Sequence, residues 1–155
     1  MTTTKSEGFS LATVFASNST DNSLFQVLWL VVRVVAGVLM VHNGLAKLAD
    51  VPGFAEHVVA VIGFPAPVFF TYCAAYAEIV GAICLALGLL TRVSALSLLG
   101  TMLVAIFFHL KVDGVKVAPL ETATLYASFY LFFLVNGGGK YAVDALLAKT
   151  LGGES

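Results

Sequence analysis

Charge is scarce in this sequence. Lysine and arginine number 8 and aspartate and glutamate 9 among 155 residues, so 11% of the chain is charged, against roughly 25% in a soluble domain. The net charge of -1 and the lack of any basic block exclude the electrostatic footprint of a nucleic-acid-binding protein. Cysteine is equally sparse. Cys73 and Cys84 lie in one apolar run, where a helix would hold them about 16 Å apart, beyond the roughly 7 Å Cα limit for a disulfide. They read as small packing residues. No Cys-x-x-Cys, Rossmann glycine motif or second domain is present, so the chain has no evident electron carrier of its own. Lys5 and Glu7 do not make the basic start of a secretory signal. Residues 1–23 read as a polar tail, in which Phe9, Val14 and Phe15 offer a short interfacial face.

What is present is apolar: 59% of residues are hydrophobic and the mean hydropathy is +0.97. The expectation is one all-α integral membrane domain, a four-helix bundle over residues 24–148, followed by a tail at 149–155. Spans are placed at about 25–48, 66–90, 93–110 and 119–136, each near the length that crosses a hydrocarbon core of about 30 Å. Short interfacial helices are expected in the first loop, where Phe54, Val58, Val59 and Ile62 recur at helical spacing between the breakers Pro52–Gly53 and Gly63–Pro65, and again at the C-terminus. Thr91 and Arg92 read as a very short turn, making the second and third spans antiparallel neighbours.

On a helical wheel the first span carries Trp29, Arg33, Ala36, Gly37, Met40, Asn43, Gly44 and Lys47 on one stripe, with His42 roughly opposite. Polar groups and small residues on a common stripe mark the inward face. In the second span Glu78 falls within an arc of small residues that includes Ala74, Ala77, Gly81 and Ala82. An acidic residue near the bilayer centre costs about 2.5–3.5 kcal/mol even on permissive scales, so it needs a partner. Arg33 is the expected counter-ion. The third span aligns Leu98, Met102, Ala105 and His109. The fourth places Glu121, in its first turn, on a face with Thr124, Leu125, Ser128 and Phe132.

Threading the spans alternately gathers Asn43, Lys47, His109 and Glu121 at one membrane face, above Glu78. Three chemistries suit such a pocket. Metal or haem ligation is not expected, because few histidines lie in the spans and His42 is off the inward face. A relay of ionisable groups could carry protons, with Glu78, His109 and Glu121 as the acid–base groups. An amphipathic small molecule such as a quinone could place its polar end among Asn43, Lys47, His109 and Glu121 and the rest against Met102, Phe107 and Phe108.

Several segments in order resemble the DoxX family of small four-helix membrane proteins. They are Gly44-Leu45-Ala46-Lys47, Gly63-Phe64-Pro65, Ala77-Glu78 with Gly81, Leu87-Gly88-Leu89-Leu90-Thr91-Arg92, Glu121, and Gly137-Gly138-Gly139-Lys140-Tyr141-Ala142-Val143-Asp144. The resemblance covers roughly residues 25–148. Asn43 stands where family members often have a histidine before the glycine, and that histidine's role is not carried over to His42. DoxX-like proteins include a membrane subunit of a thiosulfate:quinone oxidoreductase and members of thiol and superoxide stress complexes. The resemblance therefore implies a membrane subunit of a redox assembly, working on quinone with a partner oxidoreductase. The rival reading is a non-catalytic scaffold of a respiratory or photosynthetic membrane complex. A small transporter would need an internal repeat, and none is evident. The expected surroundings are the lipid bilayer of a plasma, inner or thylakoid membrane and a larger membrane complex or further copies of the chain. Lys5, Arg92, Lys140 and Lys149 against Lys47, Lys111 and Lys116 place the termini in the cytoplasm.

Overall fold

The computed structural model describes residues 20–152, together with Phe15 and Ser17. Apart from these and Thr20 to Ser23, the expected N-terminal tail, with Phe9 and Val14, lies outside the described residues. Between residues 20 and 152 the chain forms six helices and no strand. They are α1 (Ser23–Ala49), α2 (Val51–Ile62), α3 (Pro67–Leu87), α4 (Thr91–Val112), α5 (Val117–Asn136) and α6 (Val143–Gly152). Helices α1, α3 and α4, of 27, 21 and 22 residues, are each long and apolar enough to cross a membrane. Helix α5, with 20 residues, is about 30 Å long at 1.5 Å per residue.

Local signals set the boundaries. The Asn22 side chain accepts the Phe25 N–H at 3.1 Å and starts α1, and Asp50 does the same for α2 through the Gly53 N–H at 3.0 Å. Helix α2 contains a single π-helical turn, Ala55–Val59, and stops at Gly63, whose φ of 100° suits glycine. Pro67 opens α3 at a position that needs no N–H.

The turn between α3 and α4 differs from expectation. Gly88 and Leu90 make it, with φ of 71° and 47°, and Thr91 is already helical. The reason is a buried carboxylate from far along the chain: Asp144 accepts the N–H groups of Leu90 and Thr91, each at 2.7 Å, so α4 can begin two residues early. Helix α5 likewise begins at Val117, which moves Glu121 out of the first turn. Helix α6 runs to Gly152, into the stretch expected as a tail.

Packing follows chain order, with α1 along α3, α3 along α4 and α4 along α5. The α1–α3 contact depends on two glycines. A Cβ at Gly37 would lie 2.7 Å from the Ala82 carbonyl oxygen, and one at Gly44 would lie 2.6 Å from Ile79 Cγ1 and 2.9 Å from the Ala75 carbonyl oxygen. Backbones this close gain dispersion contacts that lipid cannot supply. The core is small, centred on Met40, Leu85, Leu98, Met102, Tyr130 and Phe133. Large apolar side chains such as Val35, Val38, Leu39, Val80 and Leu103 point outward, as expected of helices whose solvent is hydrocarbon.

Candidate functional site

The two ends of the bundle treat their polar residues differently. At the end formed by the start of α1, the α3–α4 turn and the α5–α6 connection, side chains satisfy main-chain groups. Arg33 is 1% exposed. Its guanidinium donates to the carbonyls of Ala86, Gly138 and Tyr141. Trp29 donates to Gly137, and Gln26 accepts from Lys140. Gly137, with φ of 78°, ends α5 and starts the reversal that presents these carbonyls. This end is sealed.

The expected Arg33–Glu78 ion pair is therefore not formed. Both residues face inward, but they lie at different depths. Arg33 sits level with Ala86, two turns along α3 from Glu78. The counter-ion of Glu78 is Lys47, whose Nζ lies 2.5 Å from Glu78 Oε2, with side-chain exposures of 17% and 2%. The lysine stem reaches inward from near the end of α1, and its ammonium also sits 5.2 Å from the centre of the Phe54 ring, within the range of a cation–π contact.

This pair forms the polar floor of an open-mouthed cavity of about 580 Å³ lined by α1 to α5. A volume between about 300 and 1,000 Å³ suits a small organic molecule. Phe54, Val58, Val59 and Ile62 of α2 supply an apolar wall, so the interfacial helix expected in the first loop covers the site. Lys111 holds that helix down, donating to the Val61 carbonyl at 2.9 Å. Asn43, Met102 and His109 line the cavity as expected, together with Phe108. The Asn43 amide donates only to the weakly accepting Met40 sulfur, at 3.8 Å. His109 Nδ1 lies 3.2 Å from the carboxylate of Asp113, a partner the sequence reading missed. Phe107 is 52% exposed and points away.

Glu121 also stands outside. The face it shares with Thr124, Leu125, Ser128 and Phe132 is exposed, and α5 instead turns Ala123, Ala127, Tyr130 and Phe133 inward. Ser128 meets its own need by donating to the Thr124 carbonyl at 2.8 Å, so its polarity does not require an inward position. The residues of α5 that line the cavity are Thr122, Ala123 and Tyr126, none of them anticipated. Beneath them the Tyr130 hydroxyl is buried without a hydrogen-bond partner among the described residues. The spacing of Ala123, Ala127 and Tyr130 was the available signal for this face.

Chemically, the cavity offers cationic and neutral donors at its floor and aromatic and branched aliphatic walls above. That combination fits a molecule with carbonyl or similar acceptors on a flat apolar body. Among the described residues no three His, Cys, Asp or Glu side chains come together as a metal site would require.

The model of the DoxX family matches residues 28–110. A protein of Haemophilus influenzae, described as an uncharacterized protein, is 33% identical over 117 residues, covering 72% of this chain and 84% of the relative. No solved structure matches the chain.

Proposed function

The chain belongs to the DoxX family, and from that premise we propose that it is a quinone-binding membrane subunit of a redox assembly. In this reading α5 is a fourth span beside the three long apolar helices. The observation that carries the proposal is the buried Lys47–Glu78 pair at the base of a largely apolar cavity.

A quinone bound there would accept two electrons from a partner oxidoreductase and two protons. Lys47 has three N–H donors, and one directed at Glu78 leaves others for a carbonyl oxygen. The Asn43 amide adds a second donor, and Phe54 and Phe108 flank the space for a ring. Glu78 holds the ammonium in place. His109, which lines the cavity and contacts Asp113 near the end of α4, is placed to pass protons between the aqueous face and the cavity. Glu121 is not assigned a part, because it faces outward.

Four spans put the start of α1 and helix α6 on the same side. Lys47 is engaged with Glu78, so it drops out of the loop charge count. Lys5, Arg92, Lys140 and Lys149 then face only Lys111 and Lys116, favouring termini in the cytoplasm of a cell with this protein in its plasma or inner membrane, or the equivalent side of a thylakoid. The partner is a larger membrane complex or further copies of this chain.

The test is direct binding of a radiolabelled short-tailed quinone to the purified protein in nanodiscs. Saturable binding weakened about tenfold or more by Lys47→Ala, with Glu78→Gln also affected, is the expected result. Binding that is absent, or indifferent to both substitutions, refutes the proposal and favours a scaffold.

A further inference from the structure

The bundle is open along one seam. Helices α1 and α5 meet at the sealed end, where the Trp29 and Phe133 rings are 4.7 Å apart, but toward the other end they pack on α3 and α4 rather than on each other. The gap holds a second space of about 480 Å³, lined on α1 by Val31, Val32, Val35, Ala36 and Leu39 and on α5 by Thr122, Leu125, Tyr126 and Phe129. Its walls are almost wholly apolar. Thr122 and Tyr126 also line the polar-floored cavity, so the same two side chains form the partition between the two spaces. Val35, Leu39, Leu125 and Phe129 are 41–53% exposed, which places this groove on the outer, lipid-facing surface of the bundle.

We propose that the α1–α5 seam is the lateral entry from the bilayer and the seat of the ligand's isoprenoid tail, with Thr122 and Tyr126 as the threshold between tail and headgroup. This inference rests on the reading of the cavity as a quinone headgroup site. Three observations select a quinone's tail over an unrelated lipid chain. The groove adjoins the headgroup cavity, separated from it only by the side chains the two share. Its lining contains no charged residue to seat a phosphate. The branched Val31, Val32 and Val35 present a ridged wall suited to a methyl-branched chain. The Tyr126 ring stacks against Tyr130, with centroids 6.0 Å apart, and no hydrogen bond holding its hydroxyl is seen among the described residues. It can therefore swing aside without breaking a polar contact.

The experiment compares a short-tailed and a long-tailed quinone on the purified protein in nanodiscs, with two tryptophan substitutions on α1. Val35 lines the groove and Val38, 60% exposed, does not. Both side chains face lipid, so folding tolerates either change. The expected result is that Val35→Trp weakens the long-tailed quinone about tenfold or more and leaves the short-tailed one unchanged, while Val38→Trp alters neither. A long-tailed quinone with a photoreactive group at the end of its tail should label residues of α1 and α5 in the groove. Equal effects of Val35→Trp on both tail lengths, no effect on either, or labelling outside α1 and α5 overturns the seam and leaves the headgroup reading standing. A photoreactive phospholipid that labels the groove and is not displaced by the long-tailed quinone also overturns it. If neither quinone binds the native protein, the headgroup reading fails and this inference fails with it.

Discussion

Removing one partner of the Lys47–Glu78 pair should cost far more than removing both. The atoms are 2.5 Å apart and the Glu78 side chain is 2% exposed, so at an effective dielectric near 20 their gross attraction is about 7 kcal/mol. Most of this offsets the desolvation of two ions, and a well-packed apolar pair in their place is often neutral or better. Breaking the pair is different, because a buried charge is left behind, and the typical cost is about 3–5 kcal/mol. The structure also ranks the two single changes. Lys47→Met strands a carboxylate in the middle of α3, only 2% exposed at the base of the cavity and on a side chain too short to reach its mouth. Glu78→Leu leaves an ammonium near the end of α1, 17% exposed already, which can turn toward the cavity mouth. We expect Lys47→Met to lose about 4 kcal/mol, Glu78→Leu about half that, and the double variant about 1 kcal/mol or less. Equilibrium unfolding in bilayers by steric trapping measures all three, and the double-mutant cycle isolates the coupling. Simple additivity, or a Lys47→Met loss under about 1 kcal/mol, would show that the pair does not balance a buried charge.

Other consequences can be checked alongside. Gly44→Val should weaken the α1–α3 contact by about 2 kcal/mol or more, since even a Cβ there collides with Ile79 and the Ala75 carbonyl; unchanged stability would mean the helices do not pack this closely. Asp144→Ala should cost about 3 kcal/mol by stripping two buried N–H groups of their charged acceptor, with Asp144→Asn recovering part of the loss in the same unfolding assay. Arg33→Lys should be destabilising by about 2–3 kcal/mol despite keeping the charge, because an ammonium cannot span the carbonyls of Ala86, Gly138 and Tyr141. Cys73 lines the cavity and Cys84 does not, so a bound quinone should slow alkylation of Cys73 by a membrane-permeant maleimide, read by mass spectrometry, while leaving Cys84 unaffected.

The sequence was most informative where chemistry repeats at the helical period. The stripe of Arg33, Ala36, Gly37, Met40 and Gly44 is the buried side of α1, because that helix places its small residues and its cation together. A wheel gives direction around the helix but not depth, and a lysine stem reaches over more than a helical turn. Arg33 was therefore the expected partner of Glu78, and the packed structure gives that place to Lys47 of the same stripe. On α5 the assumption that polar residues face inward failed, because Ser128 satisfies itself against its own helix. Asp144 could not be assigned from local pattern at all. Its partners are main-chain groups 53 and 54 residues away, and main-chain groups leave no trace in residue type.

The contrast between the two ends bears on why the polar residues of the open end are there. A bundle that needed only to be stable could treat its ionisable groups as Arg33 and Asp144 are treated, each tied to several main-chain groups that cannot move away. Lys47 and Glu78 are tied chiefly to each other, on the floor of a cavity that helix α2 covers and the α1–α5 seam adjoins. Such a pair adds little net stability over apolar residues of similar volume, so stability alone does not account for it. What the pair supplies is a fixed ammonium with donors to spare, facing a space of ligand size. The proposed quinone site would use that ammonium to hold a carbonyl-bearing molecule, a use that the main-chain ties of Arg33 and Asp144 do not offer. On this proposal the open end is the working end, and the sealed end is the part that holds it in register.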